Sequence, residues 1–228
     1  MSFVLRSIVP WGRSFEEYVA MFNLDDADLR SAILGCGDGP AGFNARMHRL
    51  GRRVVSCDPL YRFTHDEIRN AIELARPEVM QQVRENMGNF VWKTIRSPDE
   101  LEQVRMGAMQ EFLADFKAGR TDGRYVDASL PSLPFDDQAF DLCLCSHFLF
   151  LYDSLGPAFH LQSIREMARV AGEVRIYPLI NTNCLQAGYF QDLLCQVRQV
   201  GLCADPERVS YDLWRNGVEM IRITRASR

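Results

Sequence analysis

The segment Ile33 to Asp58 constrains this chain more than any other. It reads as a short apolar strand, a turn with glycine at three alternate positions, a helix, and a second strand ending in an acid. In the turn, Leu34-Gly35-Cys36-Gly37-Asp38-Gly39, the glycines give the backbone access to positive φ and leave no side chain between the chain and whatever lies across the strand ends. Pro40 suits a first helical turn, where its missing N–H costs nothing. Phe43, Met47 and Leu50 recur at helical spacing, Gly51 stands where a left-handed C-terminal cap is wanted, and Arg52 to Asp58 is the next strand. A carboxylate at the tip of that strand is placed to accept both hydroxyls of a ribose, so the segment has the chemistry of an adenosine-ligand site. The competing role of Asp58 is to open a turn before Pro59.

The order of elements around this segment points to an α/β fold. Ser14-Phe15-Glu16-Glu17 is a capping box opening a helix over Phe15 to Phe22. Between Thr64 and about Lys117 the spacing predicts three successive helices, capped by Thr64 with Glu67, restarted at Pro77, and opened again by Ser97-Pro98-Asp99-Glu100. Strands follow up to Asp127, over Phe140 to Ser146 and over Glu173 to Leu179, with helices near 157–171 and 188–200. Two strand-like runs between Arg208 and Thr224 flank Asn216-Gly217, a strong hairpin signal. A mostly parallel sheet with helices on both faces and a C-terminal antiparallel hairpin is the expected architecture.

At 228 residues, with 47% hydrophobic and 25% charged residues, the chain suits one domain with an elaboration and argues against long disorder. A net charge of -4 offers no overall field for nucleic acid or an anionic membrane surface. The seven cysteines are scattered and fall largely within apolar runs, which implies buried thiols in a reducing compartment and no disulfide framework. Cys143 and Cys145 lack a second pair at ligand spacing, so no metal site is expected. Met1 to Pro10 carries no signal-peptide pattern, and the longest apolar run, Phe140 to Tyr152, is too short to span a bilayer. A cytoplasmic location without membrane association is the expectation.

Chemistry should gather where the strands end, at Gly35 to Gly39, Asp58, Asp127-Ala128, Ser146-His147-Phe148 and Tyr177. Together with Leu133-Pro134-Phe135-Asp136-Asp137-Gln138-Ala139-Phe140-Asp141, these motifs stand in an order and spacing that resembles the class I S-adenosylmethionine-dependent methyltransferases. The resemblance covers residues 31–60 and 124–228. It implies a Rossmann-like seven-stranded sheet in a single domain spanning 1–228, with 62–123 as a helical insertion or lid after the second strand.

Carried over residue by residue, the resemblance implies that Gly35, Cys36, Gly37, Asp38 and Gly39 hold the methionine part of S-adenosylmethionine. It further implies that Asp58 with Pro59 binds the ribose, that Asp127 and Ala128 recognise the adenine, and that Ser146 lies beside the methyl group. The family's acid just before the leucine of the turn is Ile33 here, so Asp38 is expected to anchor the cofactor's amino group and Arg13 its carboxylate. His147, the only histidine at a strand end, is the candidate base, with a hydrogen-bonded structural role as its alternative.

The insertion mixes charges of both signs, and Met80, Met87, Met106 and Met109 offer either core or an adaptable pocket, so the acceptor is read as a small, partly apolar molecule and not nucleic acid. Two other classes compete. A non-catalytic S-adenosylmethionine-binding sensor or partner subunit would need the same turn. An NAD-dependent oxidoreductase would too, although Pro40 follows GxGxG directly and no Tyr-x-x-x-Lys pair is present.

Overall fold

The computed structural model describes residues 10–226; residues 1–9, on which the expectation of no signal peptide rests, and 227–228 lie outside the described residues. Seven strands form one sheet: β1 Ile33–Cys36, β2 Val54–Cys57, β3 Tyr125–Val126, β4 Phe140–Ser146, β5 Ala171–Tyr177, β6 Leu202–Arg208 and β7 Glu219–Arg225. Their order is β3-β2-β1-β4-β5-β7-β6, parallel except where β7 pairs antiparallel with β5 and β6. The central strands are apolar in nearly every position, as strands covered on both faces must be. Ile33, Leu142 and Leu144 face one core with helix α1 (Phe15–Phe22) and helix α2 (Phe43–Arg49). Leu34, Cys36, Cys143 and Cys145 face the other with α5 (Gly156–Val170) and α6 (Phe190–Gln199). The period of two along each strand divides the molecule into its layers.

Between β2 and β3 stand two long helices, α3 (His65–Glu85) and α4 (Pro98–Thr121). The expected restart at Pro77 does not occur, because α3 runs through it. A proline removes one helical hydrogen bond, and the buried stripe Ile68, Ile72, Val79, Met80 and Val83 continues on both sides to hold the axis. Both expected capping boxes form, at Ser14 with Glu17 and at Thr64 with Glu67. Below α3 and α4, Tyr61, Phe112, Phe116 and Tyr125 make an aromatic cluster with ring centroids 5.0–5.9 Å apart, which seats the pair on the β3 edge of the sheet.

Two further details depart from expectation. Helix α2 begins at Phe43 and not at Pro40, because the Gly42 N–H donates to the Arg13 carbonyl at 2.9 Å; Leu50 ends up half exposed beyond the buried stripe. The hairpin partner of β7 is β6, upstream of the run placed before Asn216. Residues 209–218 instead fold inward, burying Tyr211, Leu213 and Trp214, with Asn216 at φ 64 in the turn that closes them. Pro206 is accommodated in β6 because that strand is an edge. Cys195 and Cys203 are exposed while the other five thiols are buried. No helix among the described residues is long and apolar enough to cross a membrane.

One buried ion pair ties α4 to α1. Arg105 donates to Glu17 Oε2 and, at 3.2 Å, to the Tyr211 hydroxyl, which itself donates to Glu17 Oε1 at 2.6 Å. Both charged groups are almost wholly excluded from water. Breaking such a pair from one side strands a buried charge, so Arg105→Met and Glu17→Gln are each expected to lower the unfolding free energy by about 3–5 kcal/mol, with the double variant recovering part of the loss. Urea denaturation of the three variants measures this, and additive losses would show that the pair does not act as a unit.

Candidate functional site

The carboxyl ends of β1, β2 and β4 open into a single cavity of about 510 Å³. Gly37 and Gly39 adopt φ 67 and 53, the left-handed region that glycine alone enters without cost, and the Gly37 N–H donates to the Cys57 carbonyl at 2.9 Å. Gly35 is required for a different reason. A Cβ there would lie 1.8 Å from Asp38 Oδ2, because the Asp38 side chain folds back over the end of β1. Its carboxylate accepts from the Tyr18 hydroxyl at 2.8 Å and from the Ser56 hydroxyl at 2.6 Å. Burial nonetheless raises its pKa to about 6, with the Asp58 charge adding to the effect. Ile33, where the resembled family carries an acid, is fully buried in the core, and Asp38 lines the cavity.

Asp58 lines the cavity beside it and accepts from the backbone N–H groups of Gly39 at 2.9 Å and Leu60 at 2.8 Å. The turn-capping role weighed from the sequence is therefore present in the same side chain that faces the cavity. Burial shifts its carboxyl upward, against the two N–H groups. Tyr61 adds a further stitch by donating to the Gly39 carbonyl at 2.7 Å.

The remaining candidates divide. Pro59, Ala128, Ser146, His147 and Arg13 all line the cavity. Gly35 and Cys36 do not; the Cys36 side chain turns into the opposite core, its Sγ 3.6 Å from those of Cys57 and Cys143. Asp127 stands outside the cavity wall, exposed, paired to Arg62 at 3.1 Å, while Arg62 itself lines the rim. The Ser146 hydroxyl meets His147 Nδ1 at 3.0 Å and Met21 Sδ at 3.9 Å. Sequence reasoning missed Tyr18, Ser56 and the Trp214 and Leu213 wall. Of these only Ser56 carried a signal, a polar residue inside an apolar strand two places before Asp58.

Arg13 and His147 set the electrostatics of the inner end. Arg13 donates to the Trp11 carbonyl, its Nε is buried without a partner, and it makes no ion pair among the described residues. Burial, then the nearby Arg105 charge, lowers its pKa to about 10. His147 is 8% exposed, sits at φ 53, and leaves Nε2 buried without a hydrogen bond among the described residues. Burial first, then Arg13 and Arg105, holds its imidazole well below the usual histidine range. The ring is therefore neutral near pH 7. Apolar walls come from Val79, Val83, Phe90, Leu101, Leu213 and Trp214. Phe63 and Leu155 stand partly exposed at the same cavity.

The strand order and the reversed seventh strand give this chain the class I methyltransferase fold. The chain belongs to the same family as the uncharacterised protein MJ0045 of Methanocaldococcus jannaschii, to which it is 30% identical over 223 residues, 97% of this chain and 98% of that protein. No protein-family model matches. Among solved structures, magnesium protoporphyrin IX methyltransferase from Synechocystis, crystallised with S-adenosylmethionine, is similar at a TM-score of 0.45 and 12% identity, over 88% of this chain and 73% of that one. The PH0226 protein from Pyrococcus horikoshii is similar at 0.45 and 13%, over 86% and 82%. Likeness at this level is one of general architecture.

Because His147 stays neutral in the fold but takes a proton below about pH 6.5 when unfolded, it withdraws stability as pH falls below that value, by at most about 1.4 kcal/mol per pH unit. Asp38, raised from 3.8 to about 6, has the opposite sign, costing stability as pH rises between those values. His147→Asn, which tolerates the left-handed backbone, should flatten the acid limb of stability between pH 6.5 and 5 in denaturant titrations. An unchanged slope would mean that His147 titrates alike in the folded and unfolded chain.

Proposed function

We propose that this protein is an S-adenosylmethionine-dependent methyltransferase acting on a small, partly apolar acceptor. The observation that carries the reading is the convergence of the buried Asp38, the half-buried Asp58, a left-handed glycine turn, a guanidinium with no ion pair among the described residues and an imidazole whose Nε2 has no partner among them, on one cavity at the switch point of the sheet. The fit to the cofactor is chemical. Asp38, held at the end of β1, meets its ammonium in place of the family acid missing at Ile33; Arg13, with Nε free, meets its carboxylate. Asp58 keeps lone pairs on both oxygens for ribose hydroxyls, and Gly39 leaves open space above the turn. Ala128 lies against the adenine, and Asp127 reaches it once Arg62 releases its carboxylate.

When bound, S-adenosylmethionine supplies a methyl group already activated on a sulfonium, so the protein's task is positioning and proton removal. His147 Nε2 would take the proton that the acceptor loses on methylation and would then pass it to water. Helices α3 and α4, residues 62–123 with their flanks, act as the lid or wall of the acceptor chamber, with Val79, Val83, Phe90 and Leu101 turned toward it.

Calorimetric titration with S-adenosylmethionine, S-adenosylhomocysteine and NAD tests the reading. Saturable binding of the first two and not NAD, weakened at least tenfold in Asp58→Ala, is expected. Binding of NAD alone would replace it with an oxidoreductase. An ammonium on Asp38 favours the ionised carboxyl, so affinity for S-adenosylmethionine should fall as pH drops below about 6, by up to tenfold per unit, and this dependence should vanish in Asp38→Asn. A pH-independent affinity in the unmodified protein would remove Asp38 from the amine. With an acceptor in hand, His147→Asn should lower turnover by about 10²-fold or more with little effect on cofactor affinity.

A further inference from the structure

His147 lines the cavity and leaves Nε2 buried with no partner among the described residues, but a neutral imidazole carries its proton on only one nitrogen. Which one decides whether Nε2 is a base or a donor. The neighbours of Nδ1 settle the question through Ser146. Its hydroxyl touches three groups: His147 Nδ1 at 3.0 Å, Met21 Sδ at 3.9 Å, and the Tyr18 hydroxyl. A thioether has no proton to give, so the contact with Met21 uses the serine proton. The Tyr18 proton is committed to Asp38 Oδ1 at 2.8 Å, so Tyr18 also offers Ser146 only an oxygen lone pair. Ser146 thus has acceptors for its proton on two sides and meets His147 with its own lone pair.

From this arrangement we infer that Ser146 is a positioning residue that holds His147 in the Nδ1–H form and leaves Nε2 with a lone pair, a hydrogen-bond acceptor in the wall of the cavity. The proton donors then run in one direction, from His147 Nδ1 to Ser146, from the single Ser146 proton to Met21 or to Tyr18, and from Tyr18 to Asp38, where the Ser56 hydroxyl closes the set at 2.6 Å. Backbone geometry supports the same fixed ring. The His147 N–H donates to the Tyr177 carbonyl at 2.7 Å, and the imidazole stands edge-on to the Tyr177 ring at 5.3 Å. A left-handed φ of 53 on a residue with a bulky side chain persists only where the surroundings hold it, and such positions cluster at sites of function.

The consequence concerns the acceptor. The partner of Nε2 must bring a proton, so the inner chamber selects a molecule with an O–H or N–H group on an otherwise apolar body, the body lying against Phe90, Leu213 and Trp214. This use of Nε2 rests on the methyltransferase reading above; the tautomer itself does not.

Long-range ¹H–¹⁵N correlation spectra of the full chain labelled with ¹⁵N-histidine read the tautomer directly, with His147 assigned by its loss in His147→Asn. At pH 7 the expected signature is a neutral ring protonated at Nδ1 and bare at Nε2. Ser146→Thr keeps the hydroxyl and should keep that signature, whereas Ser146→Ala should shift the majority of the ring population to the Nε2–H form. A proton on Nε2 in the unmodified chain overturns the inference, as does an unchanged Nδ1–H signature in a folded Ser146→Ala. Should Ser146→Ala fail to fold, the unmodified chain and Ser146→Thr still decide. Failure of S-adenosylmethionine to bind would leave these spectra unaffected and would strike the proposed function alone.

Discussion

The carboxylate of Asp38 lies where a side chain on Gly35 would otherwise be, and much of the site follows from that single exclusion. A buried acid is tolerated only with partners, and here Tyr18 from α1 and Ser56 from β2 supply them. The turn, the first helix and the second strand are therefore held in register by one group that is itself poised near pH 6. Gly39 and Leu60, bonded to Asp58, carry the same stitching one strand further. The glycines and the acids are two halves of one device. The glycines clear space, and the acids fill part of it with oriented oxygen atoms.

Helix α1 connects this device to the chamber beyond. Tyr18 on one turn reaches Asp38, and Glu17 beside it is the only carboxylate on Arg105 among the described residues, so one short helix joins the glycine turn to α4. The capping box at Ser14 uses the same Glu17 oxygen that receives Arg105, since the Ser14 N–H donates to Oε2 at 2.9 Å. Glu17 thus serves the helix start, the tertiary ion pair and, through Tyr211, the inward loop 209–218.

What could be read from the sequence was what local chemistry dictates. The alternate glycines, the acid ending β2, the caps at Ser14, Thr64 and Ser97 and the apolar strands each announce themselves within a few residues. What could not be read depends on register between distant segments. Tyr18 gives no sign that its hydroxyl lands on Asp38, twenty residues on, and Asp127 gives none that it is drawn off to Arg62. Pro77 and Asn216-Gly217 misled for a related reason. Each states a local preference correctly, but a buried stripe outweighs one missing helical bond in α3, and burial of Tyr211, Leu213 and Trp214 outweighs immediate strand pairing before the turn.

Charge is distributed along the cavity in a way that joins the two halves of the proposed reaction. Asp38 and Asp58 make the glycine-turn end negative, while Arg13 brings to the inner end a cation that makes no ion pair among the described residues and feels Glu17 only through space. A ligand carrying an ammonium and a carboxylate on one carbon is the complement of such a field. Its carboxylate would neutralise Arg13, and Arg13 is one of the charges that depress His147. That would offset one of the lesser causes of the depression, while burial, the larger one, remains.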